Sequence, residues 1–249
     1  MRLNIVNPNT TAAMTRTIAE AAARVARPGT TIRAVESEFG PASIEGHYDG
    51  AFAVPGLLRR IAEGETEGAD AHVIACFDDT GLDAARSLAK APVVGIGEAA
   101  FHTASLLAHR FAVVTTLSRS VAVIENNLVR YGLDRRCARV RATDIAVLDL
   151  HDPASNARAR IGQEIARALD HDGAEAVALG CAGMADLAAA LSKEFGVPVV
   201  DGVAAAVTLA EGLAAQRLAT SKRGGYAEPI AKRYSGAFAP FSPKAGPGR

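Results

Sequence analysis

The 249-residue chain contains no tryptophan and only 5% aromatic residues, which leaves few platforms on which nucleic-acid bases stack. It lacks an excess of either charge: 27 Lys and Arg balance 27 Asp and Glu. No overall field therefore draws it to nucleic acid or to anionic lipid. No charge-free stretch reaches the roughly 18 apolar residues of a transmembrane helix, and the N-terminus turns polar at Asn4 and Asn7. Neither a membrane span nor a signal peptide is expected. The three cysteines, Cys76, Cys137 and Cys181, are too few and odd in number for a disulfide framework, which points to a reducing cytoplasm where thiols stay free. The six histidines are scattered, with no H-E-x-x-H or C-x-x-C spacing, so a metal site is not expected. A P-loop and a G-x-S-x-G nucleophile motif are missing too, which removes the commonest phosphate-binding and serine-hydrolase readings.

What the chain does have is 49% hydrophobic residues, set out as short Val/Ile-rich runs alternating with Ala-rich helical stretches. This pattern builds parallel sheets covered by helices. Eight βα units are expected, with strands near Leu3 to Val6, Thr31 to Val35, His72 to Cys76, Pro92 to Gly95, Phe111 to Thr115, Arg139 to Ala142, Ala176 to Cys181 and Pro198 to Asp201. Pro92 and Pro198 stand first in their runs, where a strand tolerates proline. Ile161, Ile165 and Leu169 recur every four residues and make one apolar helical stripe.

Laid on itself, the chain repeats. Gly68-Ala69-Asp70-Ala71 matches Gly173-Ala174-Glu175-Ala176, and at the same offset Cys76 matches Cys181. Pro92-Val93-Val94 then matches Pro198-Val199-Val200. A shared Gly-Ala-acid-Ala entry and a shared terminal cysteine indicate two lobes of common design. From about Thr220 onward the composition turns to Gly, Pro, Lys, Arg and Tyr without helical period, the mark of a tail that packs as an arm or frays.

Ligands of open parallel sheets bind beyond the carboxyl ends of the strands, and both matched cysteines fall there. Each is expected at the N-terminus of a following helix, where backbone N–H groups and the dipole favour a thiolate. Two such lobes face to face place one sulfur on each side of a bound carbon, a geometry suited to taking a proton from one face and returning it to the other. Asn7 to Thr11 and Thr115-Thr116 follow corresponding strands and supply uncharged donors for a carbonyl or carboxylate, or caps for helices. Gly95-Ile96-Gly97-Glu98-Ala99-Ala100 fits a dinucleotide fingerprint, but no Asp or Glu lies between Glu98 and Glu125 to hold a ribose. Close packing of small residues explains it better. Cys137, between Arg135-Arg136 and Arg139 and outside the repeat, reads as structural.

These residues resemble the aspartate/glutamate/hydantoin racemase superfamily, and within it the hydantoin and allantoin racemase branch. The likeness is carried by Asn7 to Thr11, Gly40 to Gly46 with Tyr48-Asp49, the run ACFDDTGLDAAR from Ala75, Val113 to Thr116, and LGCAGM from Leu179. It implies an α/β fold of two pseudo-symmetric lobes, each a four-stranded, mostly parallel sheet flanked by helices, with the active site in the cleft between them. The first lobe would comprise residues 1–97 plus 203–249, and the second 98–202. The resemblance further implies no cofactor, Cys76 and Cys181 as the acid/base pair, and substrate contacts from Asn7, Phe77, Asp78, Thr115, Thr116, Gly180 and Ala182. Ser43 and Ile44 would lie on a loop over the cleft. The amino-acid racemases of the superfamily carry a Cys-Asn-Thr run and a Gly-Cys-Thr-Glu run; here Phe77-Asp78 and Ala182-Gly183 stand instead.

The expected activity is therefore racemisation of a cyclic ureide, a 5-substituted hydantoin or allantoin, by a cytoplasmic homo-oligomer. Alternatives are an amino-acid racemase or a maleate isomerase-like enzyme of the same superfamily. A different class of reading is a two-lobed small-molecule binding protein that closes without chemistry.

Overall fold

A computed structural model describes residues 1–243 of the chain as two four-stranded sheets, every strand pair parallel. The first sheet holds β1 (Arg2–Asn7), β2 (Thr31–Glu36), β3 (Ala71–Ile74) and β4 (Val93–Gly95) in the order β2-β1-β3-β4. The second holds β5 (Phe111–Thr115), β6 (Cys137–Ala142), β7 (Ala176–Gly180) and β8 (Val199–Asp201) in the order β6-β5-β7-β8. Each sheet thus repeats the other strand for strand, as the internal sequence repeat requires. All eight expected strands are present, and Pro92 and Pro198 sit one residue before theirs. Their carbonyls accept the first ladder hydrogen bonds, from His72 and Val177 at 2.8 and 2.9 Å.

The helices are α1 (Ala12–Val25), α2 (His47–Thr66), α3 (Leu82–Leu88), α4 (Ile96–Leu107), α5 (Val121–Arg130), α6 (Ala157–Asp172), α7 (Ala188–Phe195) and α8 (Gly202–Ala215). Ile161 and Ile165 of α6 are fully buried against the second sheet, as the four-residue spacing predicts. Two helices change sides. Helix α4 leaves the first sheet and packs on β7, while α8 leaves the second and packs on β1, β3 and β4. They meet where they begin: a Cβ on Gly202 would come within 2.6 Å of the Ile96 carbonyl, so only glycine fits that contact.

One hydrophobic cluster therefore runs through both halves, from Leu3, Ile5 and Val73 across Phe101, Ala206 and Val207 to Val113 and Ala178. Phe101, with no exposed surface, stacks on Phe111 at 6.2 Å and takes the edge of Phe77 at 5.3 Å. Truncating such a ring to alanine costs about 3–5 kcal/mol.

After α8 the chain packs as an arm on the first half. The Lys222 ammonium donates to the carbonyls of Arg86 and Ser87, and the Tyr226 hydroxyl to Asp83. Phe241 sits edge-on to Phe39 at 6.3 Å. The last part of the expected tail, residues 244–249, lies outside the described residues. Among the described residues no helix is long and apolar enough to cross a membrane.

Candidate active site

The carboxyl ends of β1, β3, β5 and β7 open on a common, partly open cleft. The 105-residue repeat closes there: Ala75, Cys76 and Phe77 line it from the first sheet, and Gly180, Cys181 and Ala182 line it from the second. Thr115, Thr116 and Asp78 also line it, and Ile44 reaches it from the loop before α2. Asn9, Met14, Ser120 and Val147 complete the wall.

Two expected contacts lie outside this lining. Asn7 is 1% exposed, and its amide is spent within its own loop. Its Nδ2 donates to Asn9 Oδ1 at 2.9 Å and to Thr15 Oγ1 at 3.1 Å, and its Oδ1 accepts from the Asn9 N–H. It braces the turn, and Asn9, two residues on, faces the cleft instead. Ser43 is half-buried but only its neighbour Ile44 faces the cleft. Phe77 reaches the cleft with little of its ring, which is 3% exposed and packed on Phe101. The Thr115 hydroxyl is committed to the Gly180 carbonyl at 3.0 Å. A Cβ at position 180 would lie 2.7 Å from that of Thr115, which explains why glycine precedes the second sulfur where alanine precedes the first.

The helix N-termini expected beneath the sulfurs are not there. Cys76 is followed by a turn closed by Asp79 N–H to Cys76 O at 3.0 Å, and α3 starts six residues later. Cys181 leads into a single 3₁₀ turn, Ala182–Met184, and α7 begins at Ala188. Both strands also end short of their cysteine, because the backbone turns away to close these loops. Without a helix dipole, burial dominates. It pushes the Cys76 thiol far above its ordinary range, with the Asp78 carboxylate adding to the rise and the Thr80 hydroxyl, at 3.5 Å, opposing it. Burial raises Cys181 to about 11, opposed by the Gly183 N–H and reinforced by the charges of Asp78 and Glu45. Burial thus raises both sulfurs, Cys76 more than Cys181. Asp78 itself is raised to about 7 by burial alone.

The cleft therefore holds two thiols and one carboxylate, and no Lys, Arg or His among its lining residues. Over its mouth, Glu45 Oε1 accepts the Val147 N–H at 2.9 Å, tying the loop that carries Ile44 to the opposite half. Glu45 belongs to the Gly40 to Gly46 stretch that carries the family likeness, but its tie to Val147 is not legible in the sequence, since it joins residues 102 apart.

The glycine fingerprint is a docking slot. The Asp79 carboxylate accepts the N–H groups of Gly97 and Glu98, at 3.0 and 2.7 Å, and the Tyr131 hydroxyl at 2.8 Å. A Cβ at Gly95 or Gly97 would run into that carboxylate. Burial raises Asp79 to about 7 against these three hydrogen bonds. Cys137 lies half-buried on edge strand β6, away from the cleft, its thiol raised to about 12 by burial. Among the described residues no group of three or more His, Cys, Asp or Glu side chains is placed to hold a metal ion.

The family model for Asp/Glu/hydantoin racemases matches residues 3–210. A hydantoin racemase of Rhizobium meliloti is 48% identical over 95% of this chain and 98% of its own. One from Pseudomonas sp. (strain NS671) is 46% identical, covering 97% of each chain. The solved allantoin racemase from Klebsiella pneumoniae superposes with a TM-score of 0.95 at 48% identity, covering 98% of this chain and all of that one. With the fold, the cleft and these likenesses in agreement, the chain belongs to the Asp/Glu/hydantoin racemase family and is an isomerase of the racemase type.

Proposed function

We propose that the chain racemises cyclic ureides, 5-substituted hydantoins or allantoin, without a cofactor, using Cys76 and Cys181 as opposed proton-transfer groups. One sulfur, as thiolate, takes the proton from the stereocentre, and the electron pair moves onto the adjacent ring carbonyl as an enolate. The other, as thiol, gives its proton to the opposite face, and the electron pair returns to carbon. The pair ends with its protonation states exchanged and resets through solvent or the reverse turnover. Because burial raises both thiols, the working thiolate is scarce at neutral pH and correspondingly basic, and Cys181, the less raised, is the sulfur we assign as first to ionise. Backbone N–H groups beside Phe77 and Ala182 are our candidates for stabilising the enolate oxygen.

The observation that carries the substrate reading is the lining: one carboxylate and no cation. A free amino acid brings an α-carboxylate that needs a positive or strongly donating partner, and the dicarboxylic ones bring a second. Asp78 repels these, whereas it accepts N–H bonds from a neutral ureide ring. We take the chain to cross between lobes at the starts of α4 and α8, so that both halves contribute to the cleft. Comparing kcat/KM for allantoin, 5-benzylhydantoin, aspartate and glutamate tests the assignment: both ureides should exceed both amino acids, and a preference for either amino acid overturns it.

A further inference from the structure

We propose that Asn127 of α5 and Tyr131, the residue that caps the C-terminus of that helix, are positioning residues that set the Cys76 sulfur from the opposite half of the molecule. The proposal rests on the two-thiol reading above. Helix α5 follows β5 of the second sheet, yet a side chain in its last turns and that of its C-terminal cap hold the turn that follows β3 of the first. Asn127 Nδ2 donates to the Asp78 carbonyl at 2.9 Å, and the Tyr131 hydroxyl donates to Asp79 Oδ2 at 2.8 Å. The two residues are four apart, and the cap keeps a helical backbone conformation, so both side chains leave the same side of the helix end. Asn127 is 8% exposed.

The turn needs holding. Cys76 is not propped by a helix, and Asp79 adopts a left-handed backbone, φ 49°, which non-glycine residues visit only with local compensation. The compensation is the carboxylate's three hydrogen bonds, two from the first turn of α4 and one from Tyr131. Asp79 in turn closes back on the Cys76 carbonyl. Any shift of α5 relative to the first sheet is thereby passed to the sulfur through two short links.

The other sulfur has no such device. Helix α1 packs on the 3₁₀ turn after Cys181, but among the described residues no side chain of α1 donates a hydrogen bond to that turn or accepts one from it. Cys181 is set by packing and Cys76 by hydrogen bonds from across the cleft. Loosening α5 therefore misplaces one sulfur of the pair and leaves the other.

The test uses Tyr131→Phe, which keeps the ring and removes one hydroxyl, with Asn127→Ser as a second variant that releases Asp78 without touching Asp79. Enantiomers are equal in energy, so kcat/KM falls equally in both directions whichever sulfur is impaired. The informative quantity is the ratio of solvent-deuterium exchange to inversion, followed by proton NMR and polarimetry on each enantiomer of 5-benzylhydantoin. The enantiomer deprotonated by Cys181 should still exchange, with its enolate returned to the same face. Its exchange-to-inversion ratio should rise about tenfold or more, with KM nearly unchanged, as expected for a misplaced reacting group. The mirror enantiomer should lose exchange and inversion together. In parallel, iodoacetamide labelling of the variants, mapped by peptide mass, should become about threefold faster or more at Cys76 with Cys181 unchanged, because the turn opens more often. Labelling needs no turnover, so it tests the positioning even if Cys76→Ala were to keep its inversion rate and sink the two-thiol reading. Unchanged labelling at Cys76 in both variants overturns the proposal, as does an equal loss of exchange for both enantiomers.

Discussion

Replacing Gly97 by alanine tests whether the glycine pair after β4 exists to receive Asp79. The new Cβ would sit 2.8 Å from Asp79 Oδ2 and inside the contact distance of the Phe77 carbonyl. Both neighbours belong to the Cys76 turn and neither is the free end of a flexible side chain. Overpacking of this kind costs about 1–3 kcal/mol. Displacing the carboxylate weakens its hydrogen bonds to Gly97 and Glu98, worth about 1.5–3 kcal/mol where one partner is charged. Against this, alanine improves helix propensity in the first turn of α4 by about 1 kcal/mol. The sum is a loss of about 2–5 kcal/mol, read as a fall of roughly 4–20 °C in the melting midpoint for a chain of this size. Gly212→Ala is the control, since no atom lies within 4 Å of its Cβ position in α8, and there the same substitution should be neutral or stabilising by up to about 1 kcal/mol. Urea unfolding followed by circular dichroism gives both numbers. A Gly97→Ala protein as stable as the parent to within about 0.5 kcal/mol, the ordinary scatter of surface substitutions, would refute the docking-slot reasoning.

Cys137→Ala should leave kcat/KM within about twofold, because its sulfur lies on β6 away from the cleft; a large loss in steady-state assays would give that thiol a role. The proposed mechanism needs a thiolate and burial lifts both thiols, Cys181 to about 11, so kcat/KM should climb with pH between about 7 and 9, and a flat or falling profile would contradict the buried-thiol picture. Glu65 is drawn from 4.5 down to about 2 by His72 and the N–H groups of Lys90 and Ala91, against the opposing and largest effect of burial. A depressed carboxylate contributes stability that is complete above its unfolded value and lost as pH falls through its folded one. Glu65→Gln should therefore flatten the acid side of the stability profile between about pH 4.5 and 2, and an unaltered profile in acid titrations would remove Glu65 from that role. Glu45→Ala cuts the tie to the Val147 N–H and should raise KM severalfold with a smaller effect on kcat; an unchanged KM would show that the tie does not shape the cleft.

Much of the fold was legible because its signals are local. The buried parallel strands are short Val/Ile-rich runs, several of them punctuated by Gly or Pro, and the duplication leaves Ala75-Cys76-Phe77 and Gly180-Cys181-Ala182 at equal offset, both on the cleft wall. The glycine fingerprint could be set aside from sequence, but its purpose could not be read, since the carboxylate it receives is 18 residues away at Asp79. Loop conformation was the blind spot. The expected helix N-termini beneath the sulfurs gave way to a tight turn and a 3₁₀ turn, which strand patterning does not distinguish from a helix start. The same limit hides the place of Asn7, whose amide is hydrogen-bonded to Asn9 and Thr15 while Asn9 lines the cleft. Phe77 is expected as a substrate contact and does line the cleft, but hydrophobicity alone does not say how far a loop phenylalanine turns to the core, and most of its ring packs on Phe101.

In the proposed mechanism two thiols work from opposite faces of one stereocentre. The most direct measurement is proton NMR in deuterated water of each pure enantiomer of 5-benzylhydantoin with Cys76→Ala and with Cys181→Ala. Each variant should lose inversion by about 100-fold or more, while still exchanging the α-proton of one enantiomer with retention, a different one in each variant. Inversion persisting above about a tenth of the parent rate in either variant would contradict the claim.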